Sequence, residues 1–133
     1  MRLPGSGGAN DIGSLCHRTI IIMRQDKRKF VERVNFITTP GYLDGAGARE
    51  RAGLPRSSGP YRVITQLGVY GFDDATKQLK LLALHPGVTL EDVYANSAME
   101  FLVSEKIETT QPPTTEERRA LREIDPAGMV IGK

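Results

Sequence analysis

The residues with the clearest capacity for chemistry are Gly5-Ser6-Gly7-Gly8-Ala9-Asn10-Asp11. Gly5, Gly7 and Gly8 leave Ser6 as the only β-carbon in that four-residue stretch, so a substrate can reach main-chain N–H groups that side chains would otherwise shield. Such a segment suits an oxyanion or a phosphate. Asn10 or Asp11 is placed to cap a helical turn from Ile12 to Cys16, whose free N–H groups and dipole add to the preference for negative charge. A Gly/Ser cluster near a terminus is also the composition of a flexible tail, and composition alone leaves both readings open.

Other reactive residue types do not assemble into a recognised pattern. His17 and His85 are far apart, and neither stands at metal-ligand spacing with Cys16 or with a pair of carboxylates, so no metal site is expected. Cys16 and His17 are neighbours, but adjacent residues on a helix point in different directions, and a buried structural cysteine is the expectation. Ser6 lies between glycines without the G-x-S-x-G pattern or the preceding strand of a nucleophile elbow. The glycine spacing also lacks the Lys-Ser/Thr of a phosphate-binding loop and the leading strand of a dinucleotide fingerprint.

The elements that must position the glycine segment follow it. Met1-Arg2-Leu3-Pro4 is too short to anchor it from the N-terminal side, where an α/β sheet would place a strand, so the chain is expected to begin inside a longer architecture. Thr19-Ile20-Ile21-Ile22-Met23 has no polar alternation and reads as a strand buried on both faces. Phe30-Val31 and Val34–Thr38 give the next strand signal. Gly41–Pro60 is glycine-rich and carries Arg49, Arg51 and Arg56, which are read as keeping a mobile loop soluble rather than as ligand contacts. Strands over Tyr61–Gln66, Leu67–Phe72 and Leu79–Leu84 fold back as a hairpin. Thr89 caps a short helix from Leu90 to about Asn96, and Phe101-Leu102-Val103 is a last strand signal. Thr114 and Glu117 have capping-box spacing for a helix ending at Ile124, before Asp125-Pro126, with a narrow apolar stripe that docks on one side.

Composition sets outer bounds. With 133 residues the chain makes one domain at most, and a hydrophobic fraction of 39% with a charged fraction of 26% describes an ordinary globular chain. A net charge of +2, with acids interleaved among bases, offers no basic face for nucleic acid. One cysteine makes no internal disulfide, and no apolar run approaches membrane-spanning length or resembles a signal peptide. A cytoplasmic protein without membrane contact is expected.

Taken in order, Gly7-Gly8-Ala9-Asn10-Asp11-Ile12, Thr19–Ile22, Val34–Leu43, Arg62–Thr65, Leu84–Thr89, Pro113-Thr114 and Ile124-Asp125-Pro126 resemble the C-terminal part of a family I coenzyme A transferase β subunit, in the glutaconate CoA-transferase branch. The likeness runs collinearly through nearly the whole chain, so residues 1–133 are read as the C-terminal part of a single domain. It implies an α/β fold, an open and largely parallel sheet with flanking helices, present here as part of one domain. It implies a CoA-transferase β-subunit fragment that works with an α subunit, passing CoA between an acyl-CoA and a carboxylic acid, with the CoA thioester as substrate and no cofactor.

At residue level the resemblance assigns Gly7, Gly8, Ala9 and Asn10 to the loop beside the thioester, whose main-chain N–H groups stabilise its oxyanion. The family's nucleophilic glutamate precedes this motif and is expected upstream of Met1. The first glutamate here, Glu32, has no glycine neighbours, so the chain alone is expected to be inactive. Asn96-Ser97-Ala98-Met99 stands where relatives tend to have Asn-Thr-Gly-Phe, which puts the turn at Ala98 in question. Two alternatives stay open: a CoA-thioester or ring-opening hydrolase of the same superfamily, and an inactive structural or binding remnant.

Overall fold

The computed structural model describes residues 5–129. Met1–Pro4, the segment read as too short to anchor the glycines, lies outside the described residues. The elements run α1 (Gly7–Leu15), β1 (Arg18–Ile22), α2 (Ala48–Arg51), β2 (Gly59–Ile64), β3 (Gly68–Phe72), β4 (Leu79–Leu84), α3 (Leu90–Ala95), β5 (Leu102–Thr109) and α4 (Thr115–Ile124). The strands form one open sheet in the order β1-β2-β3-β4-β5. Parallel pairs, β1 with β2 and β4 with β5, flank an antiparallel β2-β3-β4 meander, so the α/β reading holds while the sheet is mixed. Each parallel pair needs a crossover. Residues 23–58 supply the first and α3 lies in the second.

The register explains the core. Ile21 pairs with Val63, Val63 with Tyr70, Tyr70 with Leu81 and Leu81 with Val103, a single row across all five strands. Val63, Tyr70 and Leu81 are buried and pack with Phe30 from the first crossover and Val93 from α3. Tyr70 meets Phe30 and Phe101 with ring centroids 5.6 and 5.7 Å apart. Its hydroxyl donates to Gln25 Oε1 at 2.8 Å, and Thr65 Oγ1 donates to the same oxygen at 3.2 Å. Gln25 Nε2 in turn donates to the Val93 carbonyl at 3.2 Å, so the buried amide is used at both ends. Burial pushes the Tyr70 phenol up to about 12, although the Gln25 hydrogen bond pulls the other way.

Several sequence expectations are corrected. The run Val34–Thr38 forms no strand; it is an exposed loop, because no described strand lies beside it to complete a ladder. Only Val31 bridges, to Ala98. Strand β1 is present but sits at the sheet edge with Ile20 and Ile22 60% and 80% exposed, not buried on both faces. Cys16 is exposed, not a core cysteine. Helix α4 has its predicted capping box but buries none of its residues, so its apolar stripe is undocked. At the questioned turn, Ala98 keeps negative φ and its N–H donates to the Phe30 carbonyl at 2.8 Å, so alanine fits without left-handed backbone.

Candidate functional site

The glycine segment is not a loop feeding a helix; it is the first turn of the helix. Helix α1 begins at Gly7 with Ser6 at the N-cap, earlier than the Asn10 or Asp11 cap expected from sequence. Ser6 makes no side-chain capping bond, and the first turn holds no acidic residue. The N–H groups of Gly7, Gly8 and Ala9 therefore have no intrahelical acceptor, and no side chain of the helix offsets the positive end of its dipole. Asn10 differs. Its N–H donates to the Ser6 carbonyl at 2.8 Å, which removes it as a main-chain donor, and its Oδ1 accepts from the Ser14 hydroxyl at 3.2 Å.

Neither Gly7 nor Gly8 has positive φ, and a β-carbon built on either would meet nothing within 4 Å. Glycine inside a helix costs about 0.5–1 kcal/mol relative to alanine, and no contact among the described residues requires it at either position. Gly13 differs again: a β-carbon there would collide with Thr39 Cγ2, so this glycine seats α1 on the Thr39 loop.

Arg49 holds the same helix from the other side, which corrects the reading of the loop arginines as solvated. Its side chain, 2% exposed, donates from Nη1 to the Gly41 carbonyl at 2.6 Å and from Nη2 to the Ser14 carbonyl and Ser58 Oγ, each at 2.9 Å. One guanidinium thus joins the end of α1, the long crossover and the start of β2. Sequence reasoning missed it because three arginines in one glycine-rich stretch look alike until the chain closes around one of them.

The remaining candidates are not brought together with the glycines. His85 is a tie between strands, its Nδ1 2.7 Å from Thr110 Oγ1 and its Nε2 2.9 Å from the Thr65 carbonyl. Glu32 and Glu100 line one cavity of about 490 Å³ with Asp44 and Lys77, yet both glutamates are exposed. Every glutamate from Glu32 to Glu123 is exposed. Among the described residues no cluster of His, Cys, Asp and Glu has the grouping to hold a metal ion.

The open α/β sheet led by a helix with bare glycines defines a class, and comparison with known proteins gives it a family. The chain belongs to the coenzyme A transferase family, whose model matches residues 1–96. It is 41% identical over 130 residues to the β subunit of glutaconate CoA-transferase from Acidaminococcus fermentans, covering 98% of this chain and 48% of that protein. It is 36% identical over 125 residues to the β subunit of 3-oxoadipate CoA-transferase from Pseudomonas knackmussii, covering 94% of this chain and 48% of that one. The crystal structure of glutaconate coenzyme A-transferase from Acidaminococcus fermentans superposes with a TM-score of 0.90 at 39% identity, over 100% of this chain and 51% of that chain. The chain spans about half the length of the relatives it matches.

Proposed function

We propose that this chain is the C-terminal part of a CoA-transferase β subunit and supplies the oxyanion donors for exchange of CoA between an acyl-CoA and a carboxylic acid. The observation that carries this is the start of α1, where three main-chain N–H groups are unspent and two glycines keep the approach open. In the complete enzyme a glutamate carboxylate attacks the thioester carbonyl and expels CoA thiolate, giving a mixed anhydride. The thiolate then attacks the glutamyl carbonyl and releases the acid, leaving a glutamyl thioester, and the acceptor acid reverses the sequence. In the first attack, negative charge grows on the thioester oxygen, where N–H groups from Gly7, Gly8 and Ala9 are of most use.

The nucleophile itself comes from outside these 133 residues. The exposed setting of every glutamate in the chain supports this, since none combines a glycine-rich neighbourhood with a place at the end of a buried strand. An α subunit, the acyl-CoA and the acid are the partners, with no cofactor beyond the CoA thioester, and the compartment is the cytoplasm. No described helix is long and apolar enough to cross a membrane. Both relatives named above carry transferase names, which favours exchange over hydrolysis or an inert remnant.

The test is Gly8→Val in the enzyme assembled with its α subunit and the rest of the β-subunit fold. Helical φ and open space let the chain fold with valine there, so loss of turnover by two to three orders of magnitude reports a blocked oxyanion site. Retained turnover in the folded variant reduces the segment to a connector. Borohydride reduction after acyl-CoA treatment should convert the glutamyl thioester to an alcohol on a peptide outside this chain. A reduced residue at Glu100, or at any other glutamate here, overturns the assignment of the nucleophile.

A further inference from the structure

The buried Arg49 charge makes no ion pair among the described residues, and a cavity lies against it. Its hydrogen-bond partners are two carbonyls and a hydroxyl, all neutral, and Nε, with no solvent access, has no acceptor at all. Arginine does not deprotonate, so this cation is held out of water with its charge uncompensated, a costly arrangement unless something else supplies the anion. Beside it is a space of about 240 Å³ lined by Tyr42, Glu50, Ser57, Ser58 and Lys77 together with Arg49.

The second cation is available. Lys77 Nζ is 3.6 Å from Asp74 Oδ1, but that carboxylate is fully exposed, and such surface pairs are worth little. Glu50 also lines the cavity but makes no ion pair with Arg49 or Lys77 within 4.0 Å, so one carboxylate stands against two cations there. Tyr42 is committed elsewhere, its hydroxyl donating to the Pro60 carbonyl at 3.0 Å. The space is thus lined by two cations against one carboxylate, with the Ser57 and Ser58 hydroxyls and room for several water-sized groups.

The geometry points to this cavity as a binding site for a small oxyanion, a carboxylate or phosphate group, held between Lys77 and the Arg49 guanidinium. The anion is drawn by both charges in a partly enclosed space where their field is weakly screened, and a modest shift of the Arg49 side chain gives it the free Nε–H. Because Arg49 also donates to the Ser14 carbonyl, occupancy also steadies the end of α1. The site stands apart from the transferase reading: its chemistry rests on Arg49 and Lys77, not on the glycines.

The test is hydrogen exchange followed by mass spectrometry on the full chain, in whatever assembly keeps it in solution, with sodium phosphate or sodium acetate against sodium chloride at equal ionic strength. Exchange in peptides spanning 41–60 and 73–80 should slow with a saturable dependence on phosphate or acetate and not on chloride. The anion that acts identifies the source as phosphoryl or carboxylate. Lys77→Gln, at a surface turn, should raise the half-saturating concentration about tenfold, the loss expected for one charge-assisted hydrogen bond. Arg49→Lys should weaken binding further if it folds. Protection that never saturates, that appears equally in chloride, that falls outside these peptides or that is unchanged in Lys77→Gln overturns the site.

Discussion

Tyr70 carries more of the core than its hydrophobic neighbours, because its ring packs on two aromatics while its hydroxyl closes the Gln25 network. Tyr70→Phe keeps the ring and removes one of two donors to Gln25 Oε1, which should cost about 1–2 kcal/mol in urea unfolding at low protein concentration. The same residue sets an alkaline limit. Its folded pKa of about 12 lies above the ordinary 10.0, so its contribution is complete below pH 10.0 and is lost as pH rises toward 12, at about 1.4 kcal/mol per pH unit. Wild type should lose stability across that window and Tyr70→Phe should lose less; parallel curves would assign the alkaline loss to other groups. None of this was legible in the sequence. Gln25 stands between Arg24 and Asp26, with nothing beside it to mark it for burial, and Arg49 reads as one of three loop cations, because burial of a polar side chain is decided by where distant segments close, not by its neighbours in the chain.

Elements defined by local chemistry were the readable ones. The Thr114–Glu117 box is present as its spacing predicts, and Thr89, expected as a cap, closes a second box with Asp92; in each the hydroxyl accepts from the acid's N–H and the carboxylate accepts from the cap's N–H. Thr114→Ala should cost about 1 kcal/mol of α4 stability, seen as faster amide exchange over Thr115–Ile124. Bonds from the Thr114 N–H and hydroxyl hold the Glu117 carboxyl below its ordinary 4.5. A lowered folded pKa contributes stability above the unfolded value and loses it as pH falls through the folded one, so α4 should fray below pH 4.5 in wild type and show a smaller acid response in Thr114→Ala. Meander strands β2, β3 and β4 were equally readable, since short connections pair neighbours. The run Val34–Thr38 has strand composition but needs a neighbour that composition cannot supply. The glycine segment stands out by composition, and only backbone geometry shows that the Asn10 N–H is already spent within the helix.

At the scale of the molecule, the sheet is finished on one face and unfinished on the other. Val63, Tyr70 and Leu81 are covered by Phe30 and Val93, whereas Ile20 and Ile22 point to the opposite side and stand 60% and 80% exposed. Ile12 and Leu15 of α1 are 60% and 64% exposed, and Phe36 in the neighbouring crossover is 78% exposed. Among the described residues strand β1 also has one unpaired edge, the feature through which sheets join other chains. In relatives twice as long, a further half of the fold accompanies the matching region. The chain by itself should therefore self-associate with rising concentration in sedimentation velocity. Ile22→Lys places a charge on the exposed face beside the free edge without touching the Tyr70 core, so it should return the chain toward a monomer while its unfolding midpoint at low concentration changes little. If wild type stays monomeric across the concentration range, or if Ile22→Lys associates as strongly as wild type, the open face and edge of β1 are not what drives this chain toward a partner.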